Sequence, residues 1–456
     1  MKIFDSIVIG SGCGMIIVDE AMAHGLEVAL VDKGPLGGTC PNLGCIPSKM
    51  LIYPADRIVE IQEARKLGIH AEIKSIDFNA VMKRMRKNVL ENQRHMRHGI
   101  EHSKELSFYE GEGYFTSDYT IEVKGEQIKG KKIFIAAGSR TFIPPIKGLD
   151  TVDYLTSDTV LQLTERPESL IIIGGGYIAV EYGHFFAAMG TKVTMLEMMD
   201  RLITAEEPEI SALLQAELSK RMEIHTGVQV EEVRKDNGVI AMARDKKSGQ
   251  VSEYNAQRIL VAVGRRSNAD LLKVENTGVK TDEKGYIKVN ESMETSQKDI
   301  FAVGDINGQQ LFTHMANHQA AVVAHNAVHG AKSTVDFSSP PPHAIFTHPQ
   351  VAAVGLTEEK AKKDHHILVG RAMYSNVANG EAMMEEKGFA KAILDKDTEK
   401  ILGFHIIGPY SAILIQEVID AMATGGHTGH INAGIHIHPA LPELIVRTLS
   451  NLEEVS

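Results

Sequence analysis

The chain runs to 456 residues, 43% hydrophobic and 23% charged, which suits a globular protein of about three domains. A formal charge of −11 speaks against nucleic acid or an anionic membrane surface as a partner. No stretch approaches the roughly 20 uninterrupted apolar residues of a membrane span.

Ile3–Ile9 reads as a short buried strand, followed by the glycine turn Gly10-Ser11-Gly12-Cys13-Gly14-Met15 and a helix to about His24. A second strand, Glu27–Val31, ends in Asp32. Strand, glycine turn, helix and strand with a terminal acid form the unit that binds a dinucleotide; the glycines let backbone amides approach a pyrophosphate at the helix N-terminus. Asp32 can accept hydrogen bonds from ribose hydroxyls. Met15 stands where a third glycine is usual, which predicts a slightly displaced helix. Cys13, between loop glycines, reads as a small filler.

Cys40 and Cys45 follow in the run Gly37-Gly-Thr-Cys-Pro-Asn-Leu-Gly-Cys-Ile-Pro-Ser-Lys49. Pro47 suits the first turn of a helix, so Cys45 is expected at a helix N-terminus, where the dipole favours thiolate. Three cysteines make no secretory disulfide framework, and C-x4-C spacing is wrong for a zinc ribbon, so no metal site is expected. With nothing directing export, the cytoplasm is the expected compartment, where disulfides are usually transient and catalytic. A dithiol beside a dinucleotide unit has what hydride-to-disulfide exchange needs.

Leu51–Lys104 is helical by pattern, and its basic residues, among them Lys83, Arg86 and Arg94, read as a solvated face. Phe108–Phe134 reads as β-hairpins ending in the strand Lys132–Ala136, and Pro144-Pro145 as the exit to a second domain. There the dinucleotide unit recurs: strand Leu170–Ile173, turn Gly174-Gly175-Gly176-Tyr177-Ile178-Ala179, helix to about Met189, and strand Lys192–Leu196 ending in Glu197. Two complete units point to two nucleotides, a resident flavin and a visiting nicotinamide. A carboxylate at Glu197 bonds the 2′-hydroxyl of NAD and repels the 2′-phosphate of NADP. Arg201 is the one cation close by in sequence, so NAD(H) is favoured over NADP(H). The chain returns near Val263-Gly264-Arg265, and the strand Asp299–Val303 runs into Gly304-Asp305, an acid where an open α/β sheet touches its ligand. Beyond the linker Ser338–Pro342, Ala344–Leu356 and Phe389–Ile407 alternate as antiparallel strands, and the amphipathic helices Ala412–Ala423 and Leu441–Leu452 follow.

These motifs, with Ile135-Ala-Ala-Gly-Ser139, Phe301-Ala-Val-Gly-Asp305 and His438-Pro-Ala-Leu-Pro-Glu443, resemble the FAD-dependent pyridine nucleotide–disulfide oxidoreductases of the dihydrolipoamide dehydrogenase and mycothione reductase branch, essentially end to end. The resemblance implies an α/β fold with two Rossmann-like domains and a C-terminal α+β dimerisation domain. Residues 1–145 and 265–335 would bind FAD, 146–264 would bind NAD, and 336–456 would form the interface. It implies FAD contacts from Gly10, Gly12, Gly14, Asp32, Lys33, Gly38, Thr39, Ala137, Gly138 and Asp305. NAD(H) contacts would come from Gly174, Gly176, Ala179, Glu197 and Gly264; Ile203 stands where NADP-linked relatives carry a second arginine.

By the same resemblance Cys45 is the thiol nearest the flavin, Cys40 exchanges with substrate, and Lys49 pairs with Glu181 near the flavin ring. His438, oriented by Glu443, would manage protons at the disulfide of the other subunit, which makes a homodimer with shared sites obligatory. The implied activity is NAD(H):disulfide/dithiol oxidoreduction of the dihydrolipoamide dehydrogenase kind, on a small-molecule substrate. The alternatives are a mycothione reductase-like enzyme for a low-molecular-weight disulfide, an NADH oxidase, or a metal-ion reductase. The paired cysteines speak against the oxidase, and the lack of a C-terminal cysteine pair against the metal reductase. Membership of a multienzyme complex is a further partner the resemblance allows.

Overall fold

Apolar residues run almost unbroken through Ile7–Ile9 and Val28–Val31 because both faces of their sheet are covered. The computed structural model, which describes residues 1–103 and 105–455, shows the two faces alternating. Ile7, Ile9, Ala29, Val31, Ile133 and Ile135 enter one buried cluster, while Val8, Val28, Leu30, Phe134 and Ala136 enter another. The strand order is Leu106–Glu110, Val28–Asp32, Lys2–Ile9, Glu126–Ile135, Thr120–Val123, Gly113–Ser117, with Ile300–Ala302 parallel to Glu126–Ile135. Lys2–Ile9 is parallel to both of its neighbours. The carboxyl ends after Ile9, Asp32, Ile135 and Ala302 therefore lie on one side of the sheet, where ligands of such sheets bind. This first unit comprises Met1–Ser48, Lys83–Phe142 and Gly264–Ser338.

Helix Gly14–Ala23 packs against the sheet through Gly14, where a Cβ would stand 2.8 Å from Val8 Cγ1 and 3.1 Å from Ala136 Cβ. Gly14, one residue before Met15, supplies the close approach of helix to sheet. Two expectations are corrected. Leu51–Lys104 is not one helical run. Helix Cys45–Glu63 and the 3-10 turn Ala64–Leu67 stop at Gly68 (φ 80°), residues 69–77 have no regular structure, and a second helix spans Phe78–His102. Asp77 starts that helix, its Oδ1 accepting the Ala80 N–H at 2.9 Å. Lys104 lies outside the described residues. Leu106–Glu110, next, is no hairpin strand but adds in parallel to Val28–Asp32; the antiparallel hairpins begin at Gly113.

The second unit holds Lys49–Met82, Ile143–Val263 and Ser339–Ser456. Its parallel sheet runs Glu223–Thr226, Lys192–Glu197, Ser169–Ile173, Arg258–Val261, Leu155–Thr156. A three-stranded antiparallel sheet, Val228–Lys235, Val239–Asp245 and Val251–Ala256, packs its apolar face (Val230, Val233, Ala241, Ala243) with Ile171, Ile173 and Val261. The C-terminal module is a six-stranded antiparallel sheet in the order His343–Ile345, Gln350–Gly355, Ile401–Gly408, Phe389–Asp395, Ile367–Met373, Leu452–Glu454. Helices Ser411–Ala423 and Glu443–Ser450 lay Leu414, Val418, Leu444 and Ile445 over Phe404 and Ile406. Each such buried side chain contributes about 1.5–3 kcal/mol. Two dinucleotide-type sheets and an α+β module make the fold class the sequence predicts. Among the described residues no helix is long and apolar enough to cross a membrane.

Candidate active site

Gly37 and Gly38 (φ 94° and 70°) turn the chain into a short helix, Thr39–Leu43, and Gly44 separates it from helix Cys45–Glu63. Asn42 ties this bend down: its amide donates to the carbonyls of Leu36 and Gly38, each at 2.8 Å, and its oxygen accepts from Gln93 at 2.8 Å. The bend brings Cys40, half-buried, to Cys45, which is exposed; they are unbridged thiols joined by a hydrogen bond. Thr313, first residue of helix Thr313–His329, sets its hydroxyl 3.3 Å from Cys45 Sγ and also bonds Cys40. The amide dipoles of its helix favour a thiolate on Cys45. The Cys40 thiol is pushed up by its hydrogen bond to Cys45 and then by burial, with Thr313 pulling the other way.

At the carboxyl side of the first sheet, Gly10 (φ 106°) has no room for a side chain: a Cβ would lie 2.3 Å from the Ala136 carbonyl oxygen. Gly12 and Gly38 meet backbone to backbone, a Cβ on Gly38 falling 2.9 Å from Gly12 Cα. Helix Gly14–Ala23 has no side-chain cap and no acid in its first turn, which leaves its amides for an anion. Asp32 accepts the N–H groups of Ser11 and Gly34, both at 2.6 Å, and keeps lone pairs for hydroxyl donors. Lys33 turns instead to Glu112 at 3.0 Å, and Thr39 opens the short helix capped by Gly38. The Ser139 hydroxyl donates to Asp305 at 2.6 Å and accepts from Arg265 at 2.7 Å. Asn268 fixes the neighbouring turn, donating its amide to the Ala137 carbonyl and its backbone N–H to the Gly138 carbonyl. This donor and acceptor set fits the pyrophosphate and hydroxyl groups of a dinucleotide. Burial pushes the Cys13 thiol up to about 12, in keeping with an inert filler.

The second loop repeats the pattern. A Cβ on Gly174 (φ 116°) would lie 2.4 Å from the Ala262 carbonyl oxygen, and helix Tyr177–Ala188 follows Gly176 with neither capping side chain nor first-turn acid. Ala179 is buried in that helix. Glu197 is buried at its strand end, accepting the Met199 N–H at 2.6 Å; burial pushes its carboxyl up, and the amides of Met199, Gly175 and Met198 pull it back. A cleft of about 320 Å³ beyond it is lined by Met199, Asp200, Arg201, Thr204 and Lys246. Gly264 (φ 126°) falls in the first unit, its carbonyl accepting the Phe142 N–H.

Lys49 Nζ reaches both oxygens of Glu181, at 2.9 and 2.7 Å, and stands 4.4 Å over the Phe346 ring, whose residue also donates its N–H to Glu181. His438 Nδ1 lies 2.9 Å from Glu443 Oε1, and the Ala440 N–H donates to Oε2 at 2.9 Å. A carboxylate only accepts, so Nδ1 carries the proton and Nε2 is free to act. The His438 hydrogen bond, then that of Ala440, hold the Glu443 carboxyl below its ordinary range. The His438 side chain is 72% exposed, beside Ile435 and Ile437, both strongly exposed. Thr313, Phe346 and Lys246 carry no motif and were invisible in the sequence; each reaches its site from a distant segment.

A chain with two dinucleotide loops and a paired dithiol at a helix start is a flavoprotein disulfide oxidoreductase. It belongs to the pyridine nucleotide–disulphide oxidoreductases: that family's model matches residues 4–329, and the family's dimerisation domain matches residues 341–449. This family works with FAD and NAD(P)H. Mycothione reductase of Mycobacterium tuberculosis (strain H37Rv) is 36% identical, the match covering 99% of this chain and 100% of that one. Dihydrolipoyl dehydrogenase of Bacillus subtilis is 33% identical over 97% of this chain and 96% of its own. Among solved structures, the HOCl-induced flavoprotein disulfide reductase RclA from Escherichia coli, as its Cu(II) complex, superposes with a TM-score of 0.87 at 27% identity, covering 99% of both chains.

Proposed function

We propose that this protein exchanges reducing equivalents between NAD(H) and a small thiol substrate through Cys40 and Cys45, in the manner of a dihydrolipoyl dehydrogenase. The observation that carries the reading is the pair itself, two sulfurs in hydrogen-bond contact beside the Thr313 hydroxyl. Bound FAD supplies the two-electron relay between nicotinamide and disulfide. In the reducing direction His438 Nε2 takes the proton of Cys40, and the Cys40 sulfur attacks a substrate disulfide, releasing one thiol. Cys45 thiolate then attacks the Cys40 sulfur, releases the second thiol and closes the Cys40–Cys45 disulfide. His438 Nε2 passes the proton it took from Cys40 to the first departing sulfur, with Glu443 holding the ring. Oxidation of a dithiol runs these steps backwards.

Glu197 supports NAD over NADP. Residues 1–145 and 265–335 would hold FAD, 146–264 NAD, and 336–456 the interface. The exposure of His438 with Ile435 and Ile437 supports a dyad that serves the disulfide of a second subunit. A second reading, reduction of a low-molecular-weight disulfide, is supported by the end-to-end likeness to mycothione reductase.

Steady-state assays separate the two. Oxidation of dihydrolipoamide by NAD+ faster than reduction of mycothione-type disulfide, cystine or glutathione disulfide by NADH supports the first. Preference for the mycothione-type disulfide supports the second, and inactivity on every thiol and disulfide overturns both.

A further inference from the structure

We propose that Glu20, His24 and His329 form a transition-metal site, suited above all to zinc, where helices Gly14–Ala23 and Thr313–His329 end side by side in the first unit. One ligand atom from each residue lies within 4.8 Å of the other two. Glu20 and His24 stand four residues apart, as do His325 and His329 on the second helix, so each pair shares a face one turn apart. The His24 and His329 rings meet edge-on at 4.6 Å, and His325 lies 4.9 Å from His329 as a neighbouring imidazole.

The hydrogen bonds already have the form a metal needs. His24 Nδ1 lies 2.9 Å from the Glu20 carbonyl oxygen and 3.7 Å from Glu20 Oε1; a carbonyl only accepts, so Nδ1 holds the proton and Nε2 keeps its lone pair. That is how protein metal sites usually orient their histidines. His329 Nε2 lies 2.8 Å from Glu20 Oε1, and a divalent ion replacing the shared proton would part these two atoms slightly to make bonds of about 2.0–2.2 Å to each. Both helices terminate here, so their C-terminal carbonyls turn negative potential toward the same spot, and neither has Lys or Arg in its last turn. Two or three imidazoles with one carboxylate match zinc's preference for nitrogen and oxygen in a four-coordinate shell, the remaining position going to water.

The oxidised holoenzyme, with Cys40 and Cys45 bridged so that no thiolate there competes, is titrated with Zn2+ against a chromophoric chelator; Co2+ then replaces zinc to report the ligand set. The site predicts one ion per chain, cobalt bands free of sulfur charge transfer, and affinity weakened at least about tenfold in His24→Ala and in His329→Ala. His102→Ala, which breaks the separate His98–His102 stack, should bind as the wild type does. Flavin absorbance reports that each variant is folded. Equal zinc affinity in all four proteins, an equal loss in His102→Ala, or a sulfur-to-cobalt band would overturn the proposal.

Discussion

Thr313 Oγ1 lies 3.3 Å from Cys45 Sγ although 268 residues separate them, and the same hydroxyl bonds Cys40. A hydroxyl there stabilises negative charge on whichever sulfur loses its proton. Hydrogen bonds to charged groups contribute about 1.5–3 kcal/mol, which corresponds to roughly one pH unit or more. Thr313→Val should therefore move the pH dependence of iodoacetamide alkylation of the reduced enzyme about one unit alkaline, with flavin content unchanged. An unshifted profile would mean that the threonine only packs.

His438→Ala should lower turnover with a thiol substrate by about 10²–10⁴-fold while leaving flavin reduction by NADH in a stopped-flow experiment intact. Glu443→Gln should cost less, since it weakens the ring's orientation and keeps the imidazole. The folded Glu443 carboxyl sits below its ordinary value, so pairing with His438 is complete above the ordinary glutamate range and fails only as pH falls through the depressed value. The kcat profile should accordingly show no Glu443 limb near neutrality. Mixing Cys45→Ala and His438→Ala chains should restore activity at about a quarter of the sites if dimers share them.

If the second dinucleotide loop holds nicotinamide as proposed, Glu197 would favour NAD while Arg201 and Lys246, which line the neighbouring cleft, would favour a 2′-phosphate. Glu197→Gln removes the repulsion toward a 2′-phosphate and should lower the NADH-to-NADPH ratio of kcat/KM by about tenfold. Adding Lys246→Ala should abolish the gained NADPH activity. Steady-state kinetics with both nucleotides checks this; an unchanged ratio would place selectivity elsewhere.

Lys391 is 2% exposed and touches Glu207 at 2.7 Å, Glu209 at 2.8 Å and Glu358 at 2.7 Å. Burial works against its charge, but the hydrogen bonds to these three carboxylates outweigh it and hold the ammonium above the ordinary lysine range. Its stabilising contribution is thus full below the ordinary lysine value and is lost only as pH rises through the higher folded one. Lys391→Met leaves the buried Glu207 carboxylate without a counter-charge and should cost about 3–5 kcal/mol in urea denaturation. A loss under about 1 kcal/mol would show that water replaces the lysine.

What the sequence made legible follows local rules. The glycine loops, the acids at strand ends and Cys45 at a helix start each obey a short-range constraint of backbone or dipole. Lys49–Glu181 and His438–Glu443 came from family motifs, and both pairs are in hydrogen-bond contact. The break at residues 69–77 was hidden because Ile69, Ile73 and Ile76 continue a helix-like spacing, leaving Gly68 and Asp77 as the sole punctuation. Thr313, Lys246 and the Glu20–His24–His329 cluster depend on segments brought together by the sheets, which no local pattern encodes.

By the proposed mechanism, Cys40 and Cys45 store electrons inside the flavin-loaded enzyme. Anaerobic titration of purified holoenzyme with dithionite measures that store. Wild-type protein should take up two electrons per chain beyond those its flavin accepts, and Cys45→Ser only the flavin's share. Equal uptake by the two proteins would show that the cysteine pair holds no electrons.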